Sequence, residues 1–138
     1  PIEARRRTKH IVVAEDSRML RDLLVETLHN SGYEFVRDFN NGKSAYDYLI
    51  SLKDANGPIE EQVTAIISDI EMPQMDGHRL LKLVREDKVL ANVPLILFSS
   101  LINEEMRQKG DRLGATAQIS KPEIGQLINI MDRIIFKD

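Results

Sequence analysis

Three short runs of consecutive apolar residues and a fourth, mixed stretch punctuate the chain, and each stops at a polar or charged group. Ile11-Val12-Val13-Ala14 stops at Glu15-Asp16-Ser17, Ala65-Ile66-Ile67 at Ser68-Asp69, Leu95-Ile96-Leu97-Phe98 at Ser99-Ser100, and Ala115 to Ile119 at Ser120-Lys121-Pro122. The three uniform runs predict strands buried on both faces, and Ala115 to Ile119 predicts the last strand. A fifth, more polar stretch, Glu34 to Phe39, predicts an edge strand. Helical spacing fills the gaps between them. Leu20, Leu23, Leu24, Thr27 and Leu28 form one stripe, with Gly32 as its stop and Ser17 as its N-cap. Ala45, Tyr48, Leu49 and Leu52 form a second, broken by Asn56-Gly57-Pro58, and Leu80, Leu81, Leu83 and Val84 a third, after the loop Glu71 to Gly77. A polar helix is predicted from Glu104 to Leu113 before Gly114, with Met106 and Leu113 facing the sheet, and Ile124, Leu127, Ile128, Met131, Ile134 and Ile135 mark the last helix.

Strands alternating with helices imply a doubly wound parallel sheet covered by helices on both faces. Right-handed crossovers leave few topologies. The flavodoxin-like order 2-1-3-4-5, with five helices, puts the apolar strands in the middle and the polar second strand at an edge. The polar stretch 1–9, with Arg5, Arg6, Arg7 and Lys9, reads as a solvated linker or a small basic docking arm, and 10–138 as the domain proper. The first residue is Pro1 rather than methionine, the expectation for a processed chain or a piece of a longer one.

At 138 residues the chain has the length of one domain. There is no cysteine, which removes disulfide, thiol and Cys-zinc chemistry. A net charge of −3 gives no global attraction to nucleic acid. No apolar run approaches a membrane span, so a cytoplasmic protein without nucleic-acid or membrane partners is expected. His10, His29 and His78 lack metal-ligand spacing and read as surface or edge residues.

In open α/β sheets the chemistry lies beyond the carboxyl ends of the strands. There the sequence sets Glu15 and Asp16, Asp69, Ser99 and Lys121. Two carboxylates about 4 Å apart repel by roughly 4 kcal/mol at an effective dielectric near 20. Three in one cleft call for a cation. Mg²⁺ suits best, because it keeps waters and needs only one or two carboxylates plus a phosphoryl oxygen. Lys121 suits a phosphoryl group, Ser99 offers a neutral donor, and an Asp beside a metal and a lysine can be a nucleophile for phosphoryl transfer.

The segments Ile-Val-Val-Ala-Glu-Asp-Ser at 11–17, Ser-Asp-Ile-Glu-Met-Pro-Gln-Met-Asp-Gly at 68–77, Leu-Ile-Leu-Phe-Ser-Ser at 95–100 and Ser-Lys-Pro at 120–122 resemble those of response-regulator receiver domains, the CheY-like family. The wording around 69–101 and 114–123 is most similar to the C-terminal receivers of CheV-type chemotaxis coupling proteins. The resemblance implies that Asp69 is the phospho-acceptor and that Asp16 and Asp69 ligate Mg²⁺ directly. It further implies Glu15 acting largely through water and the Glu71 backbone carbonyl completing the metal site. Lys121, joined to Pro122 by a cis bond, would contact the phosphoryl group. Ser99 would be the switch hydroxyl, Ser100 would leave room for the phosphoryl group, and Gly77 would allow the turn before the third helix. Met72 and Pro73 read as loop packing. The implied partners are a histidine kinase as donor, a tethered CheW-like domain and a chemoreceptor array.

Three positions complicate that picture. Glu15 stands where the family commonly has Asp, a change expected to be modest. Glu71 is either a solvated side chain or a charge that tunes attack by water on the phosphoryl group. Gln118 replaces an aromatic ring that in many relatives swings inward, so signalling through such a ring is in doubt and any switch would run through the Ser99 loop and the polar helix. That helix is either a solvated face or a docking surface. Three functions follow: a phosphoryl-accepting switch without separate turnover, a receiver-fold module that works without phosphorylation, or a Mg²⁺-dependent phosphatase with an Asp nucleophile. The last lacks a second Asp two residues on, where Glu71 stands.

Overall fold

The computed structural model describes residues 2–100 and 102–137. Pro1, Leu101 and Asp138, which bound the expected arm, the segment after the fourth strand and the domain, lie outside the described residues. Five parallel strands form one sheet in the order β2-β1-β3-β4-β5: β1 (His10–Ala14), β2 (Phe35–Phe39), β3 (Ala65–Ser68), β4 (Leu95–Ser99) and β5 (Ala117–Ser120). The helices are α1 (Ile2–Arg6), α2 (Arg18–Asn30), α3 (Gly42–Leu52), α4 (Ile59–Gln62), α5 (Gly77–Glu86), α6 (Glu104–Leu113) and α7 (Ile124–Ile135), with a 3₁₀ turn over Lys121–Glu123. The expected topology and strand order are met. No helix among the described residues is long and apolar enough to cross a membrane.

Successive side chains of a strand point to opposite faces. Val12, Ala14, Ile66, Leu95 and Leu97 therefore meet Ala45, Leu49, Leu80, Leu81 and Val84 on one side of the sheet. Ile11, Val13, Ile67, Ile96 and Phe98 meet Leu24, Leu28, Leu127 and Met131 on the other. Two apolar faces explain why the central strands read as continuous apolar runs. β2 is largely exposed, as an edge strand is. Met106 and Leu113 of the polar helix pack against the first of these cores, as their spacing predicts.

The structure corrects several expectations. Five helices were expected; α1 and α4 add two, of 5 and 4 residues, too short for a periodic stripe. β5 begins at Ala117 rather than Ala115, because the Ala115 N–H closes onto the Gly110 carbonyl at 2.9 Å and ends α6. No cis peptide bond occurs among the described residues, so Pro122 follows a trans bond, the intrinsic default, and sits in the 3₁₀ turn. His78 is not a surface residue but 5% exposed. Gly77 starts α5 so close to the Asp69 carbonyl that a Cβ would lie 2.0 Å from its oxygen, and His78 follows it inward.

The basic segment is not simply solvated. Arg6 forms a two-pronged ion pair with Asp132 of α7 and donates to the Ser31 carbonyl at 2.7 Å. The fully buried Tyr33 hydroxyl donates to Asp132 Oδ1 at 2.6 Å. Burial, reinforced by the Asp132 carboxylate, pushes the Tyr33 pKa up and keeps it a donor. Arg5 and Lys9 flank the Phe136 ring.

Asp132→Ala strips the acceptor from a buried hydroxyl and a guanidinium together. It should lower unfolding free energy by about 2 kcal/mol in urea titrations. For His78, burial first and then the charge of Lys109 lower the pKa below 6.5. The folded state thus binds fewer protons than the unfolded chain just below that value, and stability should fall as pH drops through about 6.5. His78→Met should flatten that limb by up to about one proton's worth of slope, read from urea midpoints across pH.

Candidate functional site

Register assembles the site. Ala14 of β1 pairs with Ser68 of β3, and the Asp69 N–H donates to the Ala14 carbonyl at 2.8 Å, so Glu15 and Asp69 leave neighbouring strands side by side. Ser99 of β4 pairs with Ser120 of β5, which sets Lys121 one residue beyond. Ser17 caps α2 by accepting the Leu20 N–H, and this turns the chain just after Asp16.

Lys121 Nζ lies 2.8 Å from Glu15 Oε1 and 3.1 Å from Asp69 Oδ2. Asp69 Oδ1 accepts the Ile70 N–H at 2.7 Å, and Glu15 Oε2 accepts the Ser17 N–H at 2.9 Å. Glu15 and Asp69 are only 2% and 6% exposed, whereas Asp16, Glu71 and Ser100 are exposed and Ser99 is buried. Burial raises the Glu15 pKa and the Asp69 charge adds to it, outweighing Lys121 and the Ser17 N–H. Burial alone would lower the Lys121 pKa; hydrogen bonds with Glu15 and Asp69 reverse this and raise it.

A pocket of about 550 Å³ opens over these groups, lined by Glu15, Asp16, Asp69, Glu71, Ser99, Ser100 and Lys121, with Ser17, Met72 and Pro73 at its wall. Four carboxylates (Glu15, Asp16, Asp69, Glu71) against one ammonium leave a formal charge of −3, of which a divalent cation would offset two. Among the described residues no three His, Asp or Glu side chains form a ready metal cage. A cation bound there would have to draw ligands from backbone carbonyls and water as well as from carboxylates. Glu15 is committed to Lys121 and Ser17, a role the residue's spacing did not reveal.

Gln118 does not enter this pocket. Its Nε2 donates to the Arg107 carbonyl at 2.8 Å and to Asp111 Oδ1 at 2.9 Å, both on α6. Gly110 makes this possible, since a Cβ there would lie 2.4 Å from Gln118 Oε1. Arg21 was not singled out from the sequence. It donates to the Glu15 carbonyl at 2.9 Å and pairs with Asp38 of β2 at 3.2 Å, fixing the backbone that carries Glu15. One turn beyond the Ser17 cap, it carries no mark in the sequence beyond its place on α2.

Residues 11–132 match the response regulator receiver domain, and the chain belongs to that family of two-component signalling modules. CheV2, a chemotaxis protein of Helicobacter pylori, is 28% identical over 134 residues, 97% of this chain; the chain spans 41% of CheV2. The chemotaxis protein CheY4 of Vibrio cholerae superposes with a TM-score of 0.76 at 26% identity, covering 92% of this chain and 98% of that one. The receiver domain of the histidine kinase CKI1 from Arabidopsis thaliana, complexed with Mg²⁺ and BeF₃⁻, gives a TM-score of 0.84 at 23% identity, covering 98% and 95%, a likeness of fold.

The contact between Gly110 and Gln118 yields a double-mutant test. Gly110→Ala should destabilise the domain by about 1–3 kcal/mol, because the amide must leave its place. The same change in a Gln118→Ala background should cost at least about 1 kcal/mol less, the difference being the coupling read from urea unfolding.

Proposed function

We propose that this chain is a phosphoryl-accepting switch: Asp69 takes a phosphoryl group from the phosphohistidine of a histidine kinase. The observation that carries this reading is the Asp69 carboxylate itself. It stands at the end of a central strand, held by the Ile70 N–H on one oxygen and by Lys121 on the other, and open to a pocket. An Asp69 oxygen attacks phosphorus, the P–N bond breaks, and the imidazole leaves with the electron pair. Lys121 meets the developing charge on the phosphoryl oxygens, Ser99 supplies a hydroxyl beside them, and exposed Ser100 offers no bulk against them. Asp16, Asp69 and the Glu71 carbonyl would hold Mg²⁺, with Glu15 reaching it through water. Bound there, the ion would neutralise charge on the transferring group. Phosphorylation adds about −2 charge at one point, enough to redistribute the Lys121 contacts.

The likeness to CheV2 favours a role in chemotaxis, with a CheW-like domain and a chemoreceptor array as partners and the cytoplasm as location. The phosphorylation-independent module is the second reading. The observation favouring it is Gln118, whose amide ties β5 to α6 where a mobile ring would stand.

Incubation with radiolabelled acetyl phosphate or a phosphorylated kinase should label the wild-type protein in Mg²⁺ and leave Asp69→Asn unlabelled. Equal labelling of the two, or none in either, removes the switch reading. Exposed Glu71 lines the pocket, so Glu71→Ala should change the decay rate of the label about two-fold or more by altering water's approach.

A further inference from the structure

A second pocket, of about 360 Å³, lies between α5 and α6, and Asp69 is not in its wall. Its wall is the reverse of the acidic cleft. Arg79 and Lys82 project from α5, three residues apart and so on one face, and Lys109 comes from α6. None of the three is ion-paired among the described residues. The one carboxylate in the wall, Asp76, already accepts the Arg79 N–H at 2.8 Å as the α5 cap. His78 lines the same pocket, is 95% buried, and its Nε2 has no hydrogen-bond partner. On a chain of net charge −3, three unpaired cations beside a buried unpartnered donor or acceptor is a concentration of unmet interactions.

We propose that the pocket between α5 and α6 binds a small anion of the phosphate class, held by Arg79, Lys82 and Lys109 above His78. A dianion with oxygens spread tetrahedrally can meet a guanidinium fork and two point-charge ammoniums at once. A carboxylate, planar and singly charged, leaves most of that charge unmet. Leu113 closes the apolar side of the wall. The source is inorganic phosphate or the phosphoryl group of a small ester. Nothing in the proposal depends on chemistry at Asp69.

The test follows amide and His78 ring resonances of ¹⁵N-labelled protein at constant ionic strength, free of Mg²⁺, during titration with inorganic phosphate, adenosine monophosphate or acetate. Saturable shifts confined to 76–82 and 107–113 are expected with either phosphate, and none with acetate. Affinity at least tenfold higher for the monophosphate identifies an ester as occupant; equal or higher affinity for inorganic phosphate identifies the free ion. Lys82→Gln/Lys109→Gln, both exposed positions, should weaken binding at least tenfold, and Arg79→Gln should do so independently. Shifts that rise linearly without saturation, that match those of acetate, that centre on 99–100 and 121, or that survive the substitutions overturn the proposal.

Discussion

The ammonium of Lys121 sits between Glu15 and Asp69, and the carboxyl end of the sheet is organised around that clasp. With strands about 4.8 Å apart, Lys121 must reach from β5 across the end of β4 to the ends of β3 and β1. A long flexible stem can do so only if the β4 terminus is low, and Ser99-Ser100 supply two small side chains there. Removing the ammonium would leave two nearly buried carboxylates facing each other. Burial already pushes Glu15 toward its protonated form with Lys121 present. The lysine therefore holds the two carboxylates together at the floor of the pocket, bonded to both at once.

That clasp also accounts for glutamate at position 15. The extra methylene lets the carboxylate fold back to the Ser17 N–H with one oxygen and meet Lys121 with the other. A shorter side chain would have to give up part of this arrangement. The result is a division of labour among the acids. Glu15 is buried and spoken for, Asp16 is exposed at the rim, and Asp69 lies between them with its backbone under Gly77.

The strands and the end-of-strand chemistry were legible because each is a local signal. An apolar run of four residues and the polar group that ends it lie within six positions, and parallel pairing then brings all such ends to one side. What was not legible depends on pairs far apart in the chain. Arg6 and Asp132 are 126 residues apart, and neither is unusual among its neighbours. Tyr33 becomes a core donor only because α7 carries Asp132 to it. His78 is buried because Gly77 closes on Asp69, a contact invisible to periodicity. α1 and α4 fail for a different reason: a helix of one turn has too few residues to show a period.

Gln118 combines both kinds of information. Its departure from an aromatic ring was readable, but its consequence was not, because that depends on Gly110, eight residues earlier on another element. The two hydrogen bonds from Gln118 join β5 to the middle of α6, one to a backbone carbonyl and one to a carboxylate. Bonds of these kinds are worth about 0.5–3 kcal/mol each when partly shielded. A disturbance beginning at Ser99 thus meets a helix fastened to the next strand at two adjacent points. Moving α6 alone requires both bonds to break, while moving α6 with β5 requires neither. The second path also displaces Ser120, and with it Lys121 one residue on. A displacement of α6 and a displacement of Lys121 are then linked through a single strand.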